Sequence, residues 1–215
     1  MRPDSLKRQL IKSGAALVGV GDVTEALSAD ILHLKRAVAI AVNRGLNKQT
    51  VALLARLERE TEKWLKARGF RFLSIPPDSD RPGGKFISRL YGLVSHKTAA
   101  TCSGLGWVGK NGLVINETYG PRLSWATVLT DAPLRADLPI TCSRCGECDL
   151  CVKYCPSEAI SGRDWAREDP FAESVSYEKC RALKGKRPRF DEKPNCGLCI
   201  NICPYGRYFI RGSAP

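Results

Sequence analysis

The chain has 215 residues, 43% hydrophobic and 26% charged, a balance that suits one large globular domain or a medium domain with a small appendage. Nothing approaches the roughly 20 consecutive apolar residues of a membrane-spanning helix, and MRPDSLKRQLIKSG lacks the apolar region of a secretory leader, so a soluble cytoplasmic protein with no membrane contact is expected. The formal net charge is +12, which suits nucleic acid, an acidic protein or a phosphorylated substrate, and equally suits a surface tuned for solubility.

Residues 4–14 carry Leu6, Leu10 and Ile11 at helical spacing, and AALVGV (15–20) reads as a short apolar strand. RAVAIAVN (36–43) reads as a strand buried on both faces. From Asn47 to Arg68 the positions of Val51, Leu54, Leu57, Thr61, Trp64 and Leu65 fit an amphipathic helix, with Asn47 as N-cap and Gly69 as its stop. FRFLSIP (70–76) is a third strand, PPDSDRPGGK (76–85) a loop, and residues near 86–102 a second helical stretch. GLVINE (112–117) and RLSWATVLT (122–130), joined by ETYG, read as a hairpin or adjacent strands. The expected class is α+β, with an α/β domain over 1–137 and a second domain over 138–215, divided near DAPLRADLP (131–139) where prolines interrupt the pattern.

Nine of the ten cysteines lie between Cys142 and Cys203, a clustering that metal ligation explains better than disulfides do in a cytoplasmic chain. Within TCSRCGECDLCVKYCP (141–156), Cys145-x2-Cys148-x2-Cys151-x3-Cys155-Pro156 is the bacterial ferredoxin run. Three thiolates on one tight loop can cap three irons of a single cubane, whereas the cysteine before proline points away and ligates a second centre in two-cluster proteins. That second set exists: Cys196-x2-Cys199-x3-Cys203-Pro204 repeats the end of the first, and Cys180 precedes it. Crossed ligation gives Cys145, Cys148, Cys151 and Cys203 to one 4Fe-4S cluster and Cys155, Cys180, Cys196 and Cys199 to the other. Two such cubanes would bring the net charge to about +8.

Zinc is the competing reading, but it favours four tetrahedral ligands often including histidine, and His33 and His96 are remote from the cysteines in sequence. Cys142 continues the spacing, yet counting it as a ligand strands Cys155 before its proline and leaves the second set short. Cys142 is therefore surplus, and Cys102 reads as a small buried residue. GLGWVGKNG (104–112) satisfies G-x-G-x-x-G and nearly a P-loop, but Asn111 stands where Ser or Thr is needed and the strand follows rather than precedes it. KCRALKGKRPRF (179–190) places six positive charges around Cys180, as a docking or potential-raising segment or as a solvated loop offsetting cluster charge.

GLGWVGKNGLVINETYGPRLSWATVLTDAPL (104–134), CGECDLCVKYCPSEAI (145–160) and NCGLCINICPYGR (195–207), in that order, resemble epoxyqueuosine reductase and its shorter relatives over about half of the chain. The resemblance implies a nitroreductase-like N-terminal domain holding cobalamin against a double 4Fe-4S domain, with electrons passing through the clusters to a cofactor or substrate at the domain interface. It implies Gly104, Gly106, Trp107, Lys110 and Asn116 as cofactor residues, with packing for Trp107 and tight turns for the glycines as the alternative. A reduced ferredoxin or flavodoxin-type donor is the implied partner. The family's reductase donates a proton from an aspartate in a G-R-D-Y-H-like segment, whereas VNRGLNKQTVALL (42–54) has no Asp or Glu and none follows until Glu58, so no general acid is assigned. The family's tRNA-gripping helical repeats are not matched before Pro215, so action on tRNA is not expected. Two roles stay open: an iron–sulfur reductase, and an electron carrier or reductive activator of a partner such as a corrinoid protein.

Overall fold

The computed structural model describes residues 3–45, 47–77, 94–168, 174–183 and 196–206. It divides into two units. The first comprises residues 1–105 and 123–140, and the second residues 106–122 and 141–215. The chain passes to the second unit after Leu105, returns after Arg122 and passes over again after Ile140, so the segment Gly106–Arg122 groups with the cysteines and not with its sequence neighbours.

The first unit is built on a four-stranded antiparallel sheet in the order β1-β2-β6-β3, where β1 is Leu17–Asp22, β2 Arg36–Val42, β3 Phe72–Ile75 and β6 Ser124–Thr130. Alternation along β2 divides the core. Val38, Ile40 and Val42 pack with Leu6 and Leu10 of α1 (Asp4–Lys12) and Leu54, Leu57 and Leu65 of α2 (Lys48–Lys66). Ala37 and Ala39 face the other way, toward Ala99 and Cys102 of α3 (His96–Cys102). β2 is buried on both faces because it lies inside the sheet between helices.

The helix signals translate directly into structure. Asn47 caps α2, its side-chain oxygen accepting from Thr50 N at 2.9 Å, and Gly69 follows the last turn at φ 76°. α1 departs from expectation at Ile11, which is 46% exposed. Leu6 and Leu10 are one turn apart, whereas Ile11 stands about 100° further round the helix and leaves the buried stripe. The helical stretch expected near 86–102 is present as α3 from His96; residues 86–93 and the loop from 78 lie outside the described residues. GLVINE and RLSWATVLT do not pair. Val114–Ile115 (β5) pairs with Trp107–Val108 (β4) in a small separate hairpin, while β6 joins the main sheet between β2 and β3. A turn signal placed the two runs side by side in sequence, but the long apolar edge of β2 captures β6 instead.

The seat of α3 depends on small residues. In the β1–β2 register Gly19 lies opposite Ala39 and Gly21 opposite Ala37, so one patch of the sheet has almost no side chains. A Cβ on Gly21 would stand 2.6 Å from Cys102 Cβ and 2.8 Å from the Cys102 carbonyl carbon. Cys102, 2% exposed, is thus the small buried residue that its position required. His96 is also structural: Nε2 donates to Pro76 O at 3.1 Å, so Nδ1 accepts from the Thr127 hydroxyl at 2.9 Å. Lys7 closes the unit by gripping both carboxylate oxygens of Asp137 at 2.7 Å, while Asp137 accepts from Val20 N at 2.8 Å. Gly21→Ala should overpack the α3 seat and lower unfolding free energy by about 1–3 kcal/mol in chemical denaturation followed by tryptophan fluorescence.

Candidate metal centre

All eight cysteines of the crossed set lie in the second unit, and none of the ten cysteines is in a disulfide. Cys145 and Cys148 sit on a loop that turns at Gly146, φ 56°, with Cys148 N donating to Cys145 O at 3.1 Å. Cys151 is on α4 (Leu150–Lys153) and Cys155 follows that helix; Cys199 is on α6 (Leu198–Ile202) and Cys203 follows it. Cys180 is on α5 (Tyr177–Ala182), which Ser176 caps by accepting from Lys179 N at 3.4 Å. The duplicated C-x3-C-P therefore produces two short helices, each carrying one thiol and releasing a second beyond its end.

The electrostatic neighbours of these thiols sort into two groups. Burial pushes the Cys151 thiol up to about 11, and the charges of Cys145, Cys203 and Cys148 add to the rise. Cys203 is raised by burial and by Cys145 and Cys148, although a backbone hydrogen bond at Tyr205 and the Arg122 charge oppose it. In the other group, burial pushes Cys199 up to about 12, with Cys196, Cys151, Cys180 and Cys155 contributing. Cys180 is raised by burial, Cys196 and Cys155, against the charge of Arg181. Cys151 is a neighbour of Cys199 as well, so the two quartets adjoin where α4 meets α6.

Cys155 behaves differently. Burial raises it, but hydrogen bonds from the Ser157 hydroxyl and from the backbone N–H groups of Ala159, Ser157 and Ile160 together outweigh burial and lower it. Ala159 N lies 3.3 Å from its sulfur and Ser157 Oγ 3.5 Å. Donors of this kind stabilise a thiolate and tune the potential of a cluster bound to it. Cys142 is exposed, bridged through its backbone to Ala166, and stands in neither group. Among the described residues no three His, Cys, Asp or Glu side chains converge on one ion position. A cubane asks for no such convergence, because each thiolate binds a different iron, whereas mononuclear zinc does.

Residues missing from the cysteine count complete the first quartet. The cavity lined by Cys145, Cys148, Cys151 and Cys203 is also walled by Lys110, Asn111 and Tyr205. Lys110 Nζ donates to Gly146 O at 2.8 Å, and Asn111 Nδ2 to Cys199 O at 3.4 Å. Arg122 donates to Tyr205 O at 3.0 Å and Ile200 O at 3.1 Å. Only the family resemblance pointed at this segment from sequence; no spacing rule links Lys110 to Gly146.

The five residues expected at a cobalamin pocket have varied surroundings. Gly104, φ 67°, lies under the Leu138 carbonyl in the first unit, and Gly106 lies against the Ile115 carbonyl in the second. Asn116 closes a turn by accepting from Thr118 N at 3.0 Å and Tyr119 N at 3.1 Å. Trp107 is 1% exposed, edge-on to Tyr205 with ring centroids 4.9 Å apart, and its Nε1 has no hydrogen-bond partner among the described residues. A buried orphan N–H is a group that a bound cofactor could satisfy.

Iron binds thiolates, so cluster assembly releases protons from the thiols. Thiols raised to about 11 and 12 make that release harder at low pH and easier as pH rises. Anaerobic iron loading against a competing chelator should therefore be weaker at pH 6 than at pH 8; loading that weakens as pH rises would contradict this sign.

A model of the 4Fe-4S double cluster binding domain matches residues 144–206. The epoxyqueuosine reductase of Synechococcus sp. (strain RCC307) is 33% identical over 126 residues, covering 55% of this chain and 36% of the relative. That of Synechocystis sp. is 32% identical over 139 residues, covering 58% of this chain and 45% of the relative. The chain thus spans less than half the length of these relatives. In fold, the epoxyqueuosine reductase of Streptococcus thermophilus superposes with a TM-score of 0.66 at 17% identity, over 94% of this chain and 65% of that one. A reductive dehalogenase studied for B12-dependent dehalogenation superposes at 0.69 and 19% identity, over 95% of this chain and 31% of that one. The chain is thus similar in sequence to part of the epoxyqueuosine reductases and shares their fold, and its cysteine segment matches a 4Fe-4S double cluster binding domain.

Proposed function

We propose that the chain is an iron–sulfur reductase that carries single electrons through two 4Fe-4S clusters to cobalamin, with Cys145, Cys148, Cys151 and Cys203 holding one cluster and Cys155, Cys180, Cys196 and Cys199 the other. The observation that carries this reading is the sorting of eight thiols into two adjoining quartets. When bound, the clusters supply one-electron transfer and cobalamin a cobalt centre that can be strongly reduced. The chain's residues hold the thiols in register, wall the first quartet with the Lys110–Asn111 turn, and donate hydrogen bonds to Cys155. Trp107 Nε1 supports a further bound group. A reduced ferredoxin or flavodoxin-type protein suits the role of donor, and ten unbridged cysteines suit the reducing cytoplasm. Among the described residues no helix is long and apolar enough to cross a membrane.

A second reading is an electron carrier or activator serving a partner such as a corrinoid protein. It is favoured by the β2–α2 connection, since no Asp or Glu occurs between Asp30 and Glu58 to act as proton donor there. Anaerobically prepared protein mixed with cobalamin should give the altered absorption spectrum of a bound corrinoid; no binding at micromolar protein would overturn the cobalamin part and favour the carrier. In parallel, Cys142→Ser should retain the full iron content, whereas Cys155→Ser should lose up to about half of it. Equal losses in the two variants would overturn the crossed ligation.

A further inference from the structure

Lys110 is a buried cation with no carboxylate partner among the described residues. It is 9% exposed, its ammonium donates to Gly146 O at 2.8 Å, and no ion pair reaches it among the described residues. Lysine is seldom buried this far unless its charge is compensated. The cavity that it walls is also lined by Cys145, Cys148, Cys151 and Cys203, whose cluster would carry about −2 in the oxidised state. The turn that presents it is tightly tied: Gly109 N donates to Leu113 O at 2.9 Å, Gly112 N to Gly109 O at 2.8 Å, and Leu113 N to Asn111 Oδ1 at 3.1 Å. Asn111 anchors the same turn to Cys199 O, so the lysine stem is fixed from two sides.

We propose that Lys110 is a positioning residue for the cluster of the Cys145–Cys151 loop: it pins the loop at the Gly146 carbonyl and sets its charge beside the cluster, stabilising the reduced form. This rests on the cluster reading above. In the step concerned, the cluster accepts one electron from an external one-electron donor; no bond forms or breaks, and its charge goes from about −2 to about −3. A nearby fixed cation favours the more negative state and so raises the potential. Asn111 and Arg122, bonded to carbonyls of α6 and of Tyr205, complete the same brace. The G-x-G-x-x-G-like segment is thus cluster scaffolding, not a phosphate loop.

The test uses the full chain reconstituted anaerobically, as wild type, Lys110→Met and Lys110→Arg, with iron content measured and dithionite titration followed by electron paramagnetic resonance. Lys110→Met should lower one of the two midpoint potentials by about 59 mV or more, a tenfold change in a one-electron equilibrium. The other midpoint should stay put, and Lys110→Arg should remain near wild type. Should Lys110→Met lose about half of its iron while Lys110→Arg keeps it, loop placement by the cation is equally supported. Unchanged midpoints, an equal shift of both, or equal iron loss in both variants would overturn the proposal. Wild-type protein that takes up no iron would overturn the cluster reading itself, a result distinct from these.

Discussion

Among the described residues, one aliphatic cluster of the second unit is Ala159, Ile160 and Val175, and the groups packed on it are Val152 and the side chains of Cys151, Cys155, Cys180 and Cys199. A cluster this small buries little surface to set against the entropy of ordering the cysteine loops packed on it. Iron–thiolate bonding is the interaction that can close this deficit, because each bond forms only when distant parts of the chain are already in place. The helices among the second unit's described residues are four to six residues long, too short to persist alone. The hairpin of Trp107, Val108, Val114 and Ile115 adds a compact buried patch to the same unit. The first unit is organised in the opposite manner, with a continuous apolar sheet covered by helices on both faces.

What the sequence made legible follows from this contrast. In the sheet unit, period and capping chemistry sufficed: α2 begins at its asparagine and ends before its glycine, and β2 is buried along nearly its whole length. Ile11 misled because it is apolar and adjacent to the stripe, yet a helix turns away from its own stripe within one residue. In the cysteine unit, short spacings were legible because the cubane itself sets them. The segment 106–122 was placed with its sequence neighbours because a chain excursion leaves no compositional mark. Gly146 illustrates the limit: its carbonyl is the partner of Lys110, and a backbone carbonyl has no signature in sequence.

Charge ties these parts to function. On the proposed ligation, one cluster has the Lys110 ammonium and the Arg122 guanidinium on its side, whereas the other has Arg181 and the hydrogen bonds to Cys155. On that ligation the two sites adjoin at Cys151 and Cys199, which are electrostatic neighbours. On the same proposed ligation, part of the formal charge of +12 offsets the negative charge of the clusters. The remainder is surface charge, for which Arg36–Asp22 and Arg71–Asp131 are ordinary partners at 2.7 Å.

On the proposed ligation the fold of the cysteine unit and its chemistry rest on the same eight thiols, so stoichiometry is the most direct measurement. Iron and acid-labile sulfide should each be determined on the full wild-type chain after anaerobic reconstitution. Two cubanes give about eight of each per chain. About four of each, or one to two metal ions without sulfide, would contradict the account.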